Sequence, residues 1–311
     1  MRKTGLVELD AVVAVAHRRS FRAAAVEVGI STTALSNAVS GLETRIGARL
    51  FHRTTRSVSL TEAGEQFVAT VAPALAEIRG AVDAVNRHRT TPTGTLRINS
   101  SLGAAHRMMA PFVVEYLRRY PEMRIDLAAE QRLVDIVAEG FDAGIRLAED
   151  VPRDMIAVRL GMAVRFVVVA APSVLRGGAQ PKLPKHPNDL AAYPCICVKT
   201  SGGAPYRWEF ARGRRRVSVD VAGPLTLNAP TLMREAALAG VGMAYVGEWS
   251  VSEDLDAGRL VRVLGEWMPP ASELALYYPG HRYVPTGLRT FVDVVRDIAQ
   301  NLKVSLASGG R

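Results

Sequence analysis

The chain has 311 residues, 48% of them hydrophobic and 22% charged, with a formal net charge of +9. That length fits two or three domains with real cores rather than a disordered polymer, and the basic surplus points to polyanionic partners. No apolar run approaches the ~18 residues of a membrane span, which excludes a helical membrane protein.

The opening Met1-Arg2-Lys3 followed by Leu6 to Ala16 mimics an export signal, but Glu8 and Asp10 interrupt it, and a cytoplasmic protein is expected. Leu6, Leu9, Val12, Val13 and Ala16 instead fit one face of a helix over about 5–17. Residues 20–45 then read as a short helix, a tight turn at Gly29 and a second helix capped by Ser31. On the second helix Leu35, Ala38, Val39 and Leu42 form one apolar stripe. Thr32, Thr33, Ser36, Asn37 and Ser40 occupy the opposite face, short and uncharged where a solvent face carries Lys and Glu. This is the pattern of a helix-turn-helix whose second helix enters the major groove of DNA. Up to Leu60 nine Lys and Arg stand against four Asp and Glu, so a surplus of five charges sits in the first fifth of the chain. Leu50 and Phe51 anchor a hairpin returning through Val58 and Leu60, with Arg53, Thr54, Thr55, Arg56 and Ser57 at its tip. Arg53, Thr54 and Arg56 suit contacts to phosphates and the minor groove.

Thr61 caps a following helix with Glu62 and Glu65 in its first turn. Val68, Val71, Leu75, Ile78, Val82 and Val85 recur at heptad spacing, with no core nearby in sequence to cover them and with Pro73 among them. The expectation is a helix that pairs with its copy in a second chain, so that two recognition helices read two half-sites of a palindrome. Arg87 to Gly94 reads as a hinge.

From Thr95 strands alternate with helices, as in a parallel α/β sheet. Strands are expected at Leu96–Ile98, Ile125–Ala129, Ala143–Leu147, Arg165–Ala171, Cys195–Val198, Trp208–Phe210, Val217–Val221, Val241–Val246 and Leu274–Tyr278. Helices are expected from Ser101 to about Tyr120, over Arg132–Glu139, from Asn228 to Ala239, and from about Pro285 to Ala299. Cys195 and Cys197 read as two small buried side chains, with a redox pair as the sharper alternative, and two thiols alone complete no zinc site. The chain carries no phosphate-binding loop, no HExxH and no GxSxG, and its histidines are scattered, so no catalytic residue, metal ligand or cofactor is assigned and no enzyme is expected. The strand ends present Ser100, Ser101, Thr200, Ser201 and Asn228 before helix N-termini, where backbone N–H groups favour an anion, and Arg146 as a counter-charge for a carboxylate. Each of those polar groups reads equally as a helix cap, and Arg146 equally as a surface arginine.

Together these pieces make the chain similar to the LysR-type transcriptional regulators along nearly its whole length. The resemblance rests on Ser20-Phe-Arg-Ala-Ala-Ala, on Ser31 to Arg45, on Gly47-Ala-Arg-Leu-Phe-His-Arg-Thr-Thr-Arg56 and on Leu60-Thr-Glu-Ala-Gly64. It implies a winged helix-turn-helix over 1–60, a dimerising linker helix over 61–90 and a two-subdomain, periplasmic-binding-protein-like α/β effector domain over 91–300. Subdomain I would take about 94–165 and 268–300, subdomain II about 166–267, and 301–311 would be a flexible tail. It also implies a homodimer or a homotetramer built as a dimer of dimers on double-stranded DNA, at an interrupted palindrome, with no membrane partner. By motif position Thr32, Thr33, Ser36 and Asn37 should face bases, and Arg53 and Arg56 the backbone or minor groove. The family usually shows Gln-Pro or Gln-Ser where this chain has Thr32-Thr33. Thr offers one hydroxyl and a methyl where Gln grips adenine with two hydrogen bonds, which makes Asn37 the better adenine reader. The effector, a small molecule of carboxylate type, would lie in a cleft bordered by Ser100, Ser101, Glu130, Gln131, Arg146, Thr200, Ser201 and Asn228. Two competing readings are a DNA-binding protein with no ligand response and a solute-binding protein.

Overall fold

In the computed structural model, residues 5–54, 57–85, 92–130, 132–176, 183–199, 203–227, 229–280 and 284–308 are described. Three helices build the N-terminal unit: α1 (Leu6–Arg18), α2 (Phe21–Val28) and α3 (Thr32–Ile46). Ser20 and Ser31 accept backbone N–H bonds from Ala23 and Ala34, so each serine satisfies a donor that its helix start would leave open. Gly29 ends α2 at φ 75°, a left-handed turn that glycine adopts without steric cost. The wing is a hairpin of β1 (Phe51–Arg53) and β2 (Val58–Leu60). Leu35, Val39 and Leu42 of α3 meet Val12, Val15, Ala24 and Leu50 in one core.

Helix α4 (Glu62–Val85) follows, held at its start by the Thr61 hydroxyl, which accepts from Gly64 N–H and donates to the Arg49 carbonyl. Here the structure corrects the sequence reading. Val68, Ala72 and Leu75 are buried, and Val71 packs against them, in the core formed with α1 and the helix pair of the same chain. The first half of the apparent heptad seam is therefore the lid of the winged helix. The covering core extends back to α1, beyond the reach of a local pattern. Ile78 is 43% exposed, and the side chains of Val82 and Val85 lie outside the described residues.

The C-terminal unit holds two sheet systems. The larger sheet has five strands in the order β4-β3-β5-β14-β6: β3 (Gly94–Ser100), β4 (Met123–Ala129), β5 (Ala143–Leu147), β6 (Met155–Val164) and β14 (Ser272–Pro279). β4, β3 and β5 run parallel, as expected, whereas β14 is antiparallel to both β5 and β6. β6 has no counterpart in the sequence reading. Its inward Val158, Leu160 and Val164 pack under α10 (Thr286–Ser308) with Phe291, Val292 and Val295.

The second system is smaller. An antiparallel sheet joins β7 (Phe166–Ala170), β12 (Ala244–Gly247) and β13 (Val261–Val263), and a parallel pair joins β8 (Ile196–Val198) and β11 (Leu225–Leu227). Beside them lies a hairpin of β9 (Trp208–Arg212) and β10 (Arg215–Val219), while α8 (Pro230–Leu238) covers the sheet with Met233 and Ala237. The short helices α7 (Pro172–Arg176) and α9 (Ser252–Asp256) follow β7 and β12.

Three expectations change, and one is borne out for Cys195. The helix after Ser101 is interrupted: α5 (Leu102–Met108) widens into a π-helical stretch at Met109–Val114 before α6 (Glu115–Arg119). Pro111 lies inside that stretch and has no N–H for the α-helical ladder. Arg132–Glu139 makes a single turn rather than a helix, because the Asp135 carboxylate accepts the N–H groups of Val137 and Ala138. The last helix does not end near Ala299 in a tail from Asn301. It continues to Ser308, with Leu302 packed on the core. Cys195 is fully buried, its thiol pKa pushed up to about 12 by burial, so the redox alternative loses its thiolate.

Candidate DNA-reading face and effector cleft

Burying Leu35, Val39 and Leu42 turns the opposite face of α3 outward. Thr32, Thr33 and Asn37 are exposed, and Ser36 and Ser40 are half-buried. Among the described residues, the side chains of Thr32, Thr33, Ser36 and Asn37 make no hydrogen bond, so their donors and acceptors are free to meet base edges. Ser31 differs, because its hydroxyl is the helix cap, 3.1 Å from Ala34 N.

The wing is more engaged than its sequence suggests. Arg53 pairs with Glu43 at 3.1 Å and lies over the Phe21 ring at 4.5 Å. Glu43 is itself buried and accepts the N–H groups of Leu50 and Phe51 at 2.8 and 3.3 Å. A buried carboxylate thus locks α3 to the first wing strand, and Arg53 completes its charge balance. Thr54 shapes the turn through bonds with Ser57, and Arg56 lies outside the described residues. Arg22 and Arg49, not singled out from sequence, are exposed at the start of α2 and just before the wing, and neither pairs with a described carboxylate. Their signal was simple: Arg beside a polar recognition face.

At the carboxyl ends of β3, β4 and β5 the register brings Ser100, Ser101, Glu130 and Arg146 into adjacent rows. Ser101 caps α5 through a bond from Ala104 N, Ser100 Oγ donates to the Ser101 carbonyl, and Glu130 N–H donates to the Ser100 carbonyl. Arg146 is buried rather than on the surface. Its guanidinium donates to Asn99 Oδ1 at 2.5 Å, to the Arg132 carbonyl at 3.0 Å and to the Ile145 carbonyl at 2.8 Å. Burial lowers the Arg146 pKa, opposed by Tyr277, Asp150 and Glu130 nearby. Gln131, Thr200, Ser201 and Asn228 lie outside the described residues.

Sequence reading missed Asn99 and Tyr277. Both are buried on the Arg146 face of the sheet, the Tyr277 ring against Gly144, and neither Asn99 Nδ2 nor Tyr277 OH has a partner among the described residues. The triplet Asn99-Ser100-Ser101 at a strand end was the available signal for the first. Nothing local marked the second, which arrives from the C-terminal end of the chain. Trp249, stacked on His106 at 5.0 Å, joins the segment after β12 to α5 across the two sheet systems.

The two units touch through charge. Arg18 contacts Glu27 at 2.5 Å and Asp126 at 3.1 Å, and Arg97 contacts Glu27 at 3.1 Å and Asp126 at 3.5 Å. Two arginines and two carboxylates close a ring, one of each from the winged helix and one of each from paired positions on β3 and β4. Beside it His17 fits against Gly140, where a Cβ would stand 1.8 Å from the imidazole. A cavity of about 1100 Å³ opens between the units, and Glu130 lines it together with Arg19, Arg132 and Glu139.

Two family models cover most of the chain. The bacterial regulatory helix-turn-helix protein of the lysR family matches residues 6–65, and the LysR substrate binding domain matches residues 89–300. The uncharacterized HTH-type transcriptional regulator YcaN of Escherichia coli is 41% identical over 283 residues, covering 91% of this chain and 92% of the relative. A putative transcriptional regulator of Pseudomonas aeruginosa is 39% identical over 297 residues, covering 95% and 96%. Among solved structures, CrgA, a LysR-type transcriptional regulator from Neisseria meningitidis, is 26% identical with a TM-score of 0.56, covering 95% of this chain and 99% of that one. The full-length Vibrio cholerae virulence activator AphB, at 22% identity, shares the fold with a TM-score of 0.61 over 94% and 99%.

Proposed function

The chain belongs to the LysR-type family of transcriptional regulators, and we propose that it reads an interrupted palindrome through α3 and tunes that binding to a small carboxylate held at the strand ends of its C-terminal unit. The observation that carries this reading is the face of α3, where three polar side chains stand exposed and unengaged above a fully buried apolar stripe. In the working state Asn37 addresses adenine with two hydrogen bonds, Thr32, Thr33 and Ser36 take single contacts, and Arg22, Arg49, Arg53 and Arg56 hold phosphates. Ser31 and Thr54 contribute by shaping the helix start and the wing, and Ser40 stands at the edge of the contact.

In the C-terminal unit, Ser100, Ser101, Glu130 and Arg146 form the described part of the effector border, and Gln131, Thr200, Ser201 and Asn228 complete it. Arg146 supplies positive potential from below, fixed by Asn99, while free N–H groups at the start of α5 meet the carboxylate. The ligand favours one spacing of the two sheet systems and so shifts the population that grips DNA. The Arg18–Glu27–Arg97–Asp126 ring transmits that shift to the winged helix. We place the winged helix at 1–60, the linker at 61–90 and the effector domain at 91–300. The assembly is a dimer or tetramer joined through the linker beyond Leu75, where Ile78 is exposed. The protein works in the cytoplasm by binding rather than by catalysis, in keeping with relatives named transcriptional regulators.

The test is a genome-wide footprint, followed by affinity measurements on the recovered site and on random duplex. Asn37→Ala and Ser36→Ala should weaken the specific site and spare random DNA, and equal losses on both would refute base reading. A melting shift with small mono- and dicarboxylates, lost in Arg146→Ala, checks the effector class. No shift with any carboxylate would reject it.

A further inference from the structure

The positive charge outside the winged helix is concentrated in one place. Beyond Leu60 the chain carries a surplus of four charges, and the hairpin Arg212-Gly-Arg-Arg-Arg216 alone holds four arginines, so the remainder is neutral on balance. Gly213, at φ 60°, turns β9 into β10, and all four arginines are exposed. Arg212 is anchored, pairing with Glu266 at 2.8 Å with its guanidinium 5.9 Å from the Trp267 ring. Arg214, Arg215 and Arg216 form no ion pair with any described residue.

The register sets Arg215 directly opposite Arg212, a like-charge cross-strand pair that costs stability. Shielding a sheet edge from aggregation does not call for arginine at four of five successive positions. A protein partner would need a desolvated apolar or aromatic anchor. The hairpin has none to offer, because Trp208, Phe210 and Val219 are buried beneath it and Val217 is half-buried. A phosphate backbone needs only charge and the guanidinium fork.

We infer that the Arg214–Arg216 tip is a second, sequence-independent DNA contact, gripping phosphates of the duplex that flanks the site read by α3. This rests on the DNA-binding reading above. Duplex already held by α3 presents its flanks at high effective concentration, so even a few phosphate contacts add to the grip. Bending the flank toward the effector domain would make the contact and let the ligand state of that domain reach the DNA.

The test compares two duplexes bearing the footprinted site, one trimmed to the site and one extended by about two helical turns on each side. Wild type should bind the longer duplex more tightly, with a steeper salt dependence. Arg214→Ala/Arg215→Ala/Arg216→Ala should lose that advantage, its salt slope on the long duplex falling by about 2–3 units, while its affinity for the short duplex stays unchanged and its melting temperature holds or rises as the Arg212–Arg215 repulsion is relieved. The triple lysine variant should restore most of the advantage. An unchanged length dependence in the alanine variant, or equal losses on both duplexes, would overturn the proposal. So would loss of RNA polymerase binding with DNA affinity intact, which would make the tip a protein dock. Wild type that fails to prefer the footprinted site over random DNA at either length would instead bring down the DNA-reading assignment, and this one with it.

Discussion

The face of α3 and the strand-end site of the effector domain are both polar, yet they are built in opposite ways. On α3 the side chains of Thr32, Thr33, Ser36 and Asn37 are unengaged among the described residues, over Leu35, Val39 and Leu42 that never see solvent. At the strand ends Arg146, Asn99, Ser100 and Ser101 already bond to one another or to nearby backbone. On the function proposed above, the difference follows from the partner. A duplex supplies its own rigid, repeating array of groups, so a reader needs free donors on a firm helix. A small molecule brings a few atoms into a polar recess, and the protein must hold its groups in place beforehand or lose affinity to their ordering.

That contrast yields predictions in descending size. Glu43→Ala removes the carboxylate beneath the recognition helix and leaves Leu50 N–H, Phe51 N–H and Arg53 without their acceptor. It should cost about 3–5 kcal/mol in denaturant unfolding and abolish binding to every DNA sequence. A cost under about 1 kcal/mol would show that the free face needs no such support. Arg146→Ala should cost the effector domain about 2–3 kcal/mol and remove its ligand response, while the specific DNA affinity of the folded fraction is retained. If DNA affinity falls equally, the two regions are not separable. Asn37→Ala should lower specific affinity by about 1–3 kcal/mol at unchanged melting temperature, which is the signature of a group that holds nothing up. Arg97→Ala opens the ion-pair ring and should weaken docking of the two units by about 0.5–1 kcal/mol, read as faster hydrogen exchange at the end of α1 and around Gly140. High salt should reproduce most of that effect in the wild type.

Legibility in the sequence divides along the same line. The winged helix is written in local signals: Ser20 and Ser31 as caps, Gly29 as the turn, and the stripe from Leu35 to Leu42. Its free face was visible because nothing local accounted for Thr32, Thr33 and Asn37. What escaped depends on distant partners. The Val68–Leu75 stripe has the spacing of a coiled coil, and only tertiary packing shows that α1 covers it. Arg53 reads as a free cation until Glu43 is placed 3.1 Å away. The buried role of Arg146 needs Asn99 from a neighbouring strand, and Tyr277 reaches the same face from 131 residues further along the sequence. β6 was missed although Val158 and Leu160 alternate with Ala157 and Arg159, because short alternation beside an exposed Ile156 is weak evidence for a strand.

The place of β14 carries a consequence for how the molecule is made. It lies between β5 and β6, so these two strands, complete in the chain by Val164, have no hydrogen-bonding neighbour in common until Pro279 is available. The winged helix has all of its core residues by Leu75. On the ribosome the DNA-reading unit therefore folds first, while the larger sheet waits for nearly the whole chain to be released. A transcript cut short after α4 but before β14 yields the winged helix with no governor attached.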